Sequence, residues 1–94
     1  MAERLVITAA LPYANGDLHV GHAISTYIPA DVYARFKRLQ GFDLIFVCGS
    51  DDHGTPIEVS ARRAGRTPLE HVRFYRERHV EDFKRLGISF DNYH

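Results

Sequence analysis

Two short apolar runs, LVITAAL at Leu5–Leu11 and DLIFVC at Asp43–Cys48, bracket a stretch with helical periodicity. Nearly unbroken runs of this length are the pattern of strands covered on both faces. Between them Ile24, Ile28, Val32, Phe36 and Leu39 recur at three- and four-residue spacing and share one helix face. Asp31 and Arg35, four residues apart, form a favourable pair on that helix. Pro29 interrupts the pattern. It lacks an N–H and its ring clashes with the preceding turn, so a kink or two abutting helices is expected, with Gly41 as the stop. A strand–helix–strand order in so short a chain favours parallel strands joined by a right-handed crossover.

The rest of the chain extends that pattern. Gly49–Pro56 (GSDDHGTP) reads as a polar loop, and a short helix begins at Pro56 or Ile57 and stops near Gly65. Thr67-Pro68 looks like an N-cap followed by proline at the first helical position, with Glu70 as the third. On the next helix Leu69, Val72, Tyr75, His79, Val80, Phe83 and Leu86 form a broad stripe. Arg76 falls inside it and must snorkel out or be paired. Gly87 ends the helix, and Ile88–Phe90 opens a third strand. The expected fold is α/β, one piece over residues 1–94 with no second domain. In such sheets ligands gather beyond the carboxyl ends of the strands. The loops there, Pro12–His19 and Gly49–Pro56, hold nearly all the unusual chemistry.

Bulk properties narrow the function. Hydrophobic residues at 45% and charged residues at 26% argue against disorder. Zero net charge leaves no broad electrostatic footprint for nucleic acid. The arginines at 62, 63 and 66 and at 73, 76 and 78 are local, and Glu70, Glu77, Glu81 and Asp82 dilute the second group, so a solvated helix face is expected. A single cysteine, Cys48, excludes an intramolecular disulfide and fits a reducing compartment. No signal peptide and no apolar run of about 20 residues is visible. A cytoplasmic protein without membrane contact is expected, with self-association through exposed sheet edges.

The segment LPYANGDLHVGH, Leu11–His22, sets His19 and His22 three residues apart at the mouth of the helix. Three readings are open. A zinc ion would accept both histidines, with Asp51, Asp52 or His53 completing the set, but no Cys-x-x-Cys accompanies them and the intervening glycine is unexplained. A phosphate would meet the unsatisfied N–H groups and partial positive charge of a helix start. Gly21 would let a base or ribose approach the backbone, and both histidines would donate to phosphate oxygens. In the third reading the histidines only cap and pack. The Ser50-Asp51-Asp52-His53 loop is similarly either a helix cap or a carboxylate site for a substrate ammonium.

The flanking residues carry a resemblance. HVGH at His19–His22 is similar to the His-x-Gly-His signature of class I aminoacyl-tRNA synthetases. ALPYANG at Ala10–Gly16, HGTPI at His53–Ile57 and FDNYH at Phe90–His94 resemble the methionyl-tRNA synthetases within that class. The motifs keep their order and span essentially the whole chain. The resemblance implies a Rossmann-like parallel sheet with crossover helices. It implies ATP with Mg2+, methionine and tRNA(Met) as substrates, and methionine activation to methionyl-adenylate followed by transfer to tRNA. His19, Gly21 and His22 would hold ATP and stabilise the transferring phosphoryl group, with Asn15 assisting. Leu11, partly through its backbone, and Tyr13, through its ring, would contact methionine. Asp51 would hold the methionine ammonium, with Asp52 as the fallback. The family's Lys-Met-Ser-Lys-Ser loop, zinc-binding insertion and anticodon-binding domain are not in this sequence. The 94 residues are therefore expected to be the N-terminal part of a catalytic domain, inactive or very weak alone, with tRNA contacts mainly elsewhere. The rival readings are another nucleotidyl-transferring enzyme of the same superfamily and a non-catalytic ATP-binding fragment or interaction module.

Overall fold

The computed structural model describes residues 3–94. Strand β1 (Arg4–Thr8) leads through a long loop to a helical turn α1 (Val20–His22), a π-helical turn (Ala23–Tyr27) and helix α2 (Ile28–Leu39). Then come β2 (Asp43–Cys48), α3 (Thr55–Arg63), α4 (Pro68–Leu86) and the short strand β3 (Asn92–Tyr93). All three strands are parallel in the order β1-β2-β3. This is the expected α/β arrangement, with β2 at the centre. Among the described residues no helix is long and apolar enough to cross a membrane.

Several local signals act as their chemistry dictates. The bounds of β2 coincide with the DLIFVC run. Thr67 caps α4 by accepting from the Glu70 N–H at 3.2 Å, and Gly87 closes the helix in the left-handed region at φ 75°. Arg76 is paired, as its place inside the stripe requires. It donates to the carbonyls of Tyr93 and His94, at 3.3 and 3.4 Å, at the end of β3. Pro29 lies in the first turn of α2. The break expected there takes the form of the π-turn before it, in which the Ile28 N–H reaches back to the Ala23 carbonyl. A wide turn of this kind is one of the recognised ways for a helix to absorb a local break.

Four expectations are corrected. β1 ends at Thr8 rather than Leu11, because the loop rejoins the sheet only at the Tyr13–Asp51 bridge. The third strand forms at Asn92–Tyr93 rather than Ile88–Phe90. Those earlier residues are committed elsewhere: the Ile88 N–H to Phe83, Ser89 to Asp31, and Phe90 to the ring of Phe46 at 4.7 Å. The strands are not covered on both faces, since Val6 and Ile45, paired in the register, are 65% and 51% exposed. The apolar stripe of α2 also faces out, and Leu39 is 87% exposed.

What α2 buries instead is Ala34 and Asp31, continued by Tyr27 and Ala23 in the π-turn. Asp31 explains the choice. Its carboxylate accepts from the Ser89 N–H at 2.7 Å and hydroxyl at 2.5 Å, and from Arg35 at 2.8 Å. Burial alone would push this carboxyl up, but the hydrogen bonds from Ser89 and Arg35 outweigh it and hold it below the ordinary value. Ala34 lets α2 approach closely at the same face. The ends of the α4 stripe, Leu69 and Leu86, are exposed too, while its middle is buried. The molecule is accordingly extended, 53 × 23 × 17 Å, with a radius of gyration of 15.2 Å. A compact domain of 100 residues has about 13 Å.

Candidate active site

The loops after β1 and β2 are stitched together beyond the strand ends. The Asp51 N–H donates to the Pro12 carbonyl at 3.0 Å, and the Ala14 N–H donates to the Asp51 carbonyl at 3.0 Å. This parallel bridge places Leu11 and Tyr13 beside Asp51, although some forty residues separate them in sequence. The Asp51 side chain is exposed and makes no hydrogen bond or ion pair among the described residues. Asp52 is half-buried, and its carboxylate accepts a short hydrogen bond from the Ser50 hydroxyl. The two neighbouring acids are thus physically distinct, one free and one engaged.

Gly54 supports Tyr13. Its φ of 120° suits glycine, and a Cβ there would stand 2.8 Å from the Tyr13 hydroxyl. Tyr13 packs against a small buried cluster of Ala14, Ile57 and Val72.

At the helix mouth His19 is the N-cap. Its backbone is extended, and Nδ1 accepts from the Gly21 N–H at 2.9 Å. The capping reading therefore holds for His19, and it has a chemical consequence. With Nδ1 accepting, the ring proton sits on Nε2, leaving an N–H donor on the far side of the ring. His22 lies across from it, edge to face, with ring centroids 5.8 Å apart. His22 is exposed and has no hydrogen-bond partner among the described residues. Gly21 has a local role that the motif did not suggest: a Cβ there would sit 3.0 Å from His19 Nδ1. Its lack of a side chain lets the imidazole fold back onto the helix start.

A cavity of about 380 Å³ separates the Ala10–Leu18 segment from the helix start. Leu11, Tyr13, Asn15 and His22 line it, together with Thr26 and His79. His19, Gly21 and Asp51 lie outside its lining. The Tyr27 hydroxyl donates to the Ala10 carbonyl at 2.7 Å and ties the first loop to the π-turn. Burial, with Cys48 nearby, pushes this phenol up to about 12, so it stays a donor at neutral pH.

Sequence reasoning missed the residues beneath the loop. Asn15, Gly16 and Asp17 each meet a residue of α4. His71 Nε2 lies 2.8 Å from Asn15 Oδ1, His79 Nε2 lies 2.5 Å from the Gly16 carbonyl, and Arg78 holds Asp17 at 2.9 Å. His79 was visible only as one member of an apolar stripe, and His71 lies outside that stripe. The partners stand 56 to 63 residues away, so no local signal could have paired them. Among the described residues no group of three or more His, Cys, Asp or Glu side chains is clustered to hold a metal ion.

Comparison with known proteins identifies the family. The family of class I tRNA synthetases (M) matches residues 5–94. A methionine–tRNA ligase of Francisella tularensis is 55% identical over 97% of this chain and 13% of its own length. One from Christiangramia forsetii is 52% identical over 97% of this chain and 13% of its own length. The chain thus spans a small fraction of these relatives. A structure of Mycobacterium tuberculosis methionyl-tRNA synthetase in complex with methionyl-adenylate superimposes with a TM-score of 0.91 at 37% identity, covering 100% of this chain and 18% of that one. A leucyl-tRNA synthetase of Agrobacterium radiobacter, in a ternary complex with tRNA and LeuAMS, gives 0.88 at 26% identity, covering 95% of this chain and 11% of that one.

Proposed function

Because the chain belongs to the class I tRNA synthetases (M), we propose that it is part of a catalytic domain that activates methionine with ATP and passes it to tRNA(Met). The observation that carries this reading is the helix mouth. His19 is tautomerically fixed by Gly21, with His22 beside it, and Leu11, Tyr13 and Asp51 are held alongside by the bridge between the loops. The methionyl-adenylate in the similar Mycobacterium tuberculosis enzyme supports ATP and methionine as the substrates.

In this reading the methionine carboxylate attacks the α-phosphorus of ATP. A bond forms between a carboxylate oxygen and the α-phosphorus, the bond from that phosphorus to the α,β-bridging oxygen breaks, and pyrophosphate leaves. The attacking oxygen is already ionised at neutral pH, so no general base is needed. The protein's part is to position the reactants and stabilise charge on the phosphoryl oxygens. The Nε2–H of His19, the imidazole of His22 and the helix start are suited to that charge. Asn15 accepts from His71 through Oδ1, which leaves its Nδ2 amine free as a further donor. Asp51 is the free carboxylate suited to the methionine ammonium. Mg2+ would arrive on the ATP phosphates and offset their charge. Contacts with tRNA, and self-association of the isolated chain through the edges of β1 and β3, belong to the same reading.

The test is ATP–pyrophosphate exchange by a full-length synthetase that carries this sequence. Exchange should depend on ATP and on methionine, with leucine, isoleucine and valine inactive. Exchange supported by CTP, or independent of any amino acid, would favour the rival nucleotidyl transferase.

Gly21→Val tests the local geometry. The new side chain displaces His19 from its cap, at a cost of about 1 kcal/mol, and moves the Nε2 donor. The KM for ATP should rise about tenfold, with a small fall in melting temperature. A collapsed melting temperature with an unchanged KM for ATP would make Gly21 a purely structural residue.

A further inference from the structure

We infer that His79 and His71 on α4 are positioning residues that hold the Asn15–Asp17 turn in the shape the nucleotide site needs, an inference that rests on the function proposed above. The turn runs along the cavity wall, and Asn15, Gly16, Asp17 and His79 all line that cavity together with His22. Within the loop its backbone has one hydrogen bond, from the Asn15 N–H to the Tyr13 carbonyl. Its side-chain ties among the described residues run to α4.

The three ties to α4 differ in strength. Arg78 and Asp17 are both about half exposed, and such a surface pair contributes little. The two histidines are buried, His79 completely. Gly16 offers a carbonyl and Asn15 its Oδ1, and both can only accept. Each imidazole must therefore donate from Nε2. In both, Nδ1 is buried without a partner among the described residues. An orphaned buried nitrogen is costly, and an apolar side chain would fill the space without that penalty. The arrangement is explained if the Nε2 donor is what the position requires. Burial, and then Arg66, hold the His71 imidazole below its ordinary value. His71 has a second effect. By occupying Asn15 Oδ1 it fixes which end of the amide remains available, and that end is the amine.

The experiment separates the donor from its packing. In the full-length synthetase His79→Gln keeps an amide N–H near the place of Nε2, while His79→Leu keeps bulk and removes the donor. ATP–pyrophosphate exchange and melting temperature are measured for both. His79→Leu should raise the KM for ATP about tenfold, with the KM for methionine within about twofold of the parent. His79→Gln should return most of the ATP affinity. A folded His79→Leu enzyme with parental KM for ATP, or a folded His79→Gln enzyme as impaired as the leucine variant, overturns the inference. If the leucine variant does not fold, the glutamine variant and the parent decide. Ring 15N shifts of the parent should show both histidines protonated at Nε2, and an Nδ1-protonated His79 overturns the inference. A parent enzyme without methionine-dependent exchange would instead overturn the proposed function, while the ring shifts would still report whether α4 holds the turn.

Discussion

His22→Ala, in a full-length synthetase carrying this sequence, should slow methionine-dependent ATP–pyrophosphate exchange by about 10²–10³ with little change in stability. Loss of one donor to charge that develops in the transition state typically costs that much. The structure separates this effect from folding. His22 is exposed and has no hydrogen-bond partner among the described residues, so its removal breaks no native bond. His19→Ala should slow exchange comparably and also remove the cap on Gly21, lowering stability by about 1 kcal/mol. The pair thus gives a built-in comparison: the same kinetic defect, with a stability change in one variant only. Unchanged kinetics in both, or activity that depends on zinc at this pair, would end the phosphate reading.

Asp51→Asn should raise the KM for methionine about ten- to a hundredfold while leaving the KM for ATP near its parental value. Methionine has an apolar side chain, so its ammonium is its one handle for a fixed negative charge. A hydrogen bond to a charged group contributes about 1.5–3 kcal/mol, which converts to that range of affinity. Asp51 is exposed, so its loss does not carry the larger penalty of a fully buried ion pair. The backbone of Asp51 is held between Pro12 and Ala14, so the amide replacement should leave the loop in place. Asp52→Asn is the control. Ser50 already donates to that carboxylate, and asparagine keeps an acceptor there, so its effect should be smaller. A larger methionine defect in Asp52→Asn would move the ammonium site by one residue. No defect in either would leave the loop as a helix cap.

The parts of this fold that were legible in the sequence are those set by neighbours in the chain. The apolar run of β2, the Thr67-Pro68 start of α4 and its Gly87 stop are local chemistry, and each appears where local chemistry puts it. The face of α2 is set instead by a partner far along the chain. Apolar spacing selects Val32, Phe36 and Leu39, yet the buried side is chosen by Asp31, whose partner Ser89 is 58 residues away. The same is true of β3, displaced because Ser89 and Phe90 are taken up by Asp31 and Phe46.

The site divides along the same line. His19, Gly21 and His22 sit within one turn and declare themselves as a motif, although the cap between His19 and Gly21 depends on a ring orientation that spacing does not reveal. The distinction between Asp51 and Asp52 also lay below the resolution of sequence, because it depends on where the Ser50 hydroxyl points. The support from His71 and His79 joins distant segments and becomes visible only once α4 is placed beneath the loop.

In the proposed function this helix mouth and its paired loops hold the reacting phosphate and the methionine ammonium. A crystal structure of the full-length synthetase with a non-hydrolysable methionyl-adenylate analogue tests it most directly. The expected result places the phosphate-mimicking oxygens about 2.7–3.2 Å from His19 Nε2 or a ring nitrogen of His22, with the ammonium on the Asp51 carboxylate. An analogue bound away from His19–His22, or a metal ion bridging the two imidazoles, would contradict it.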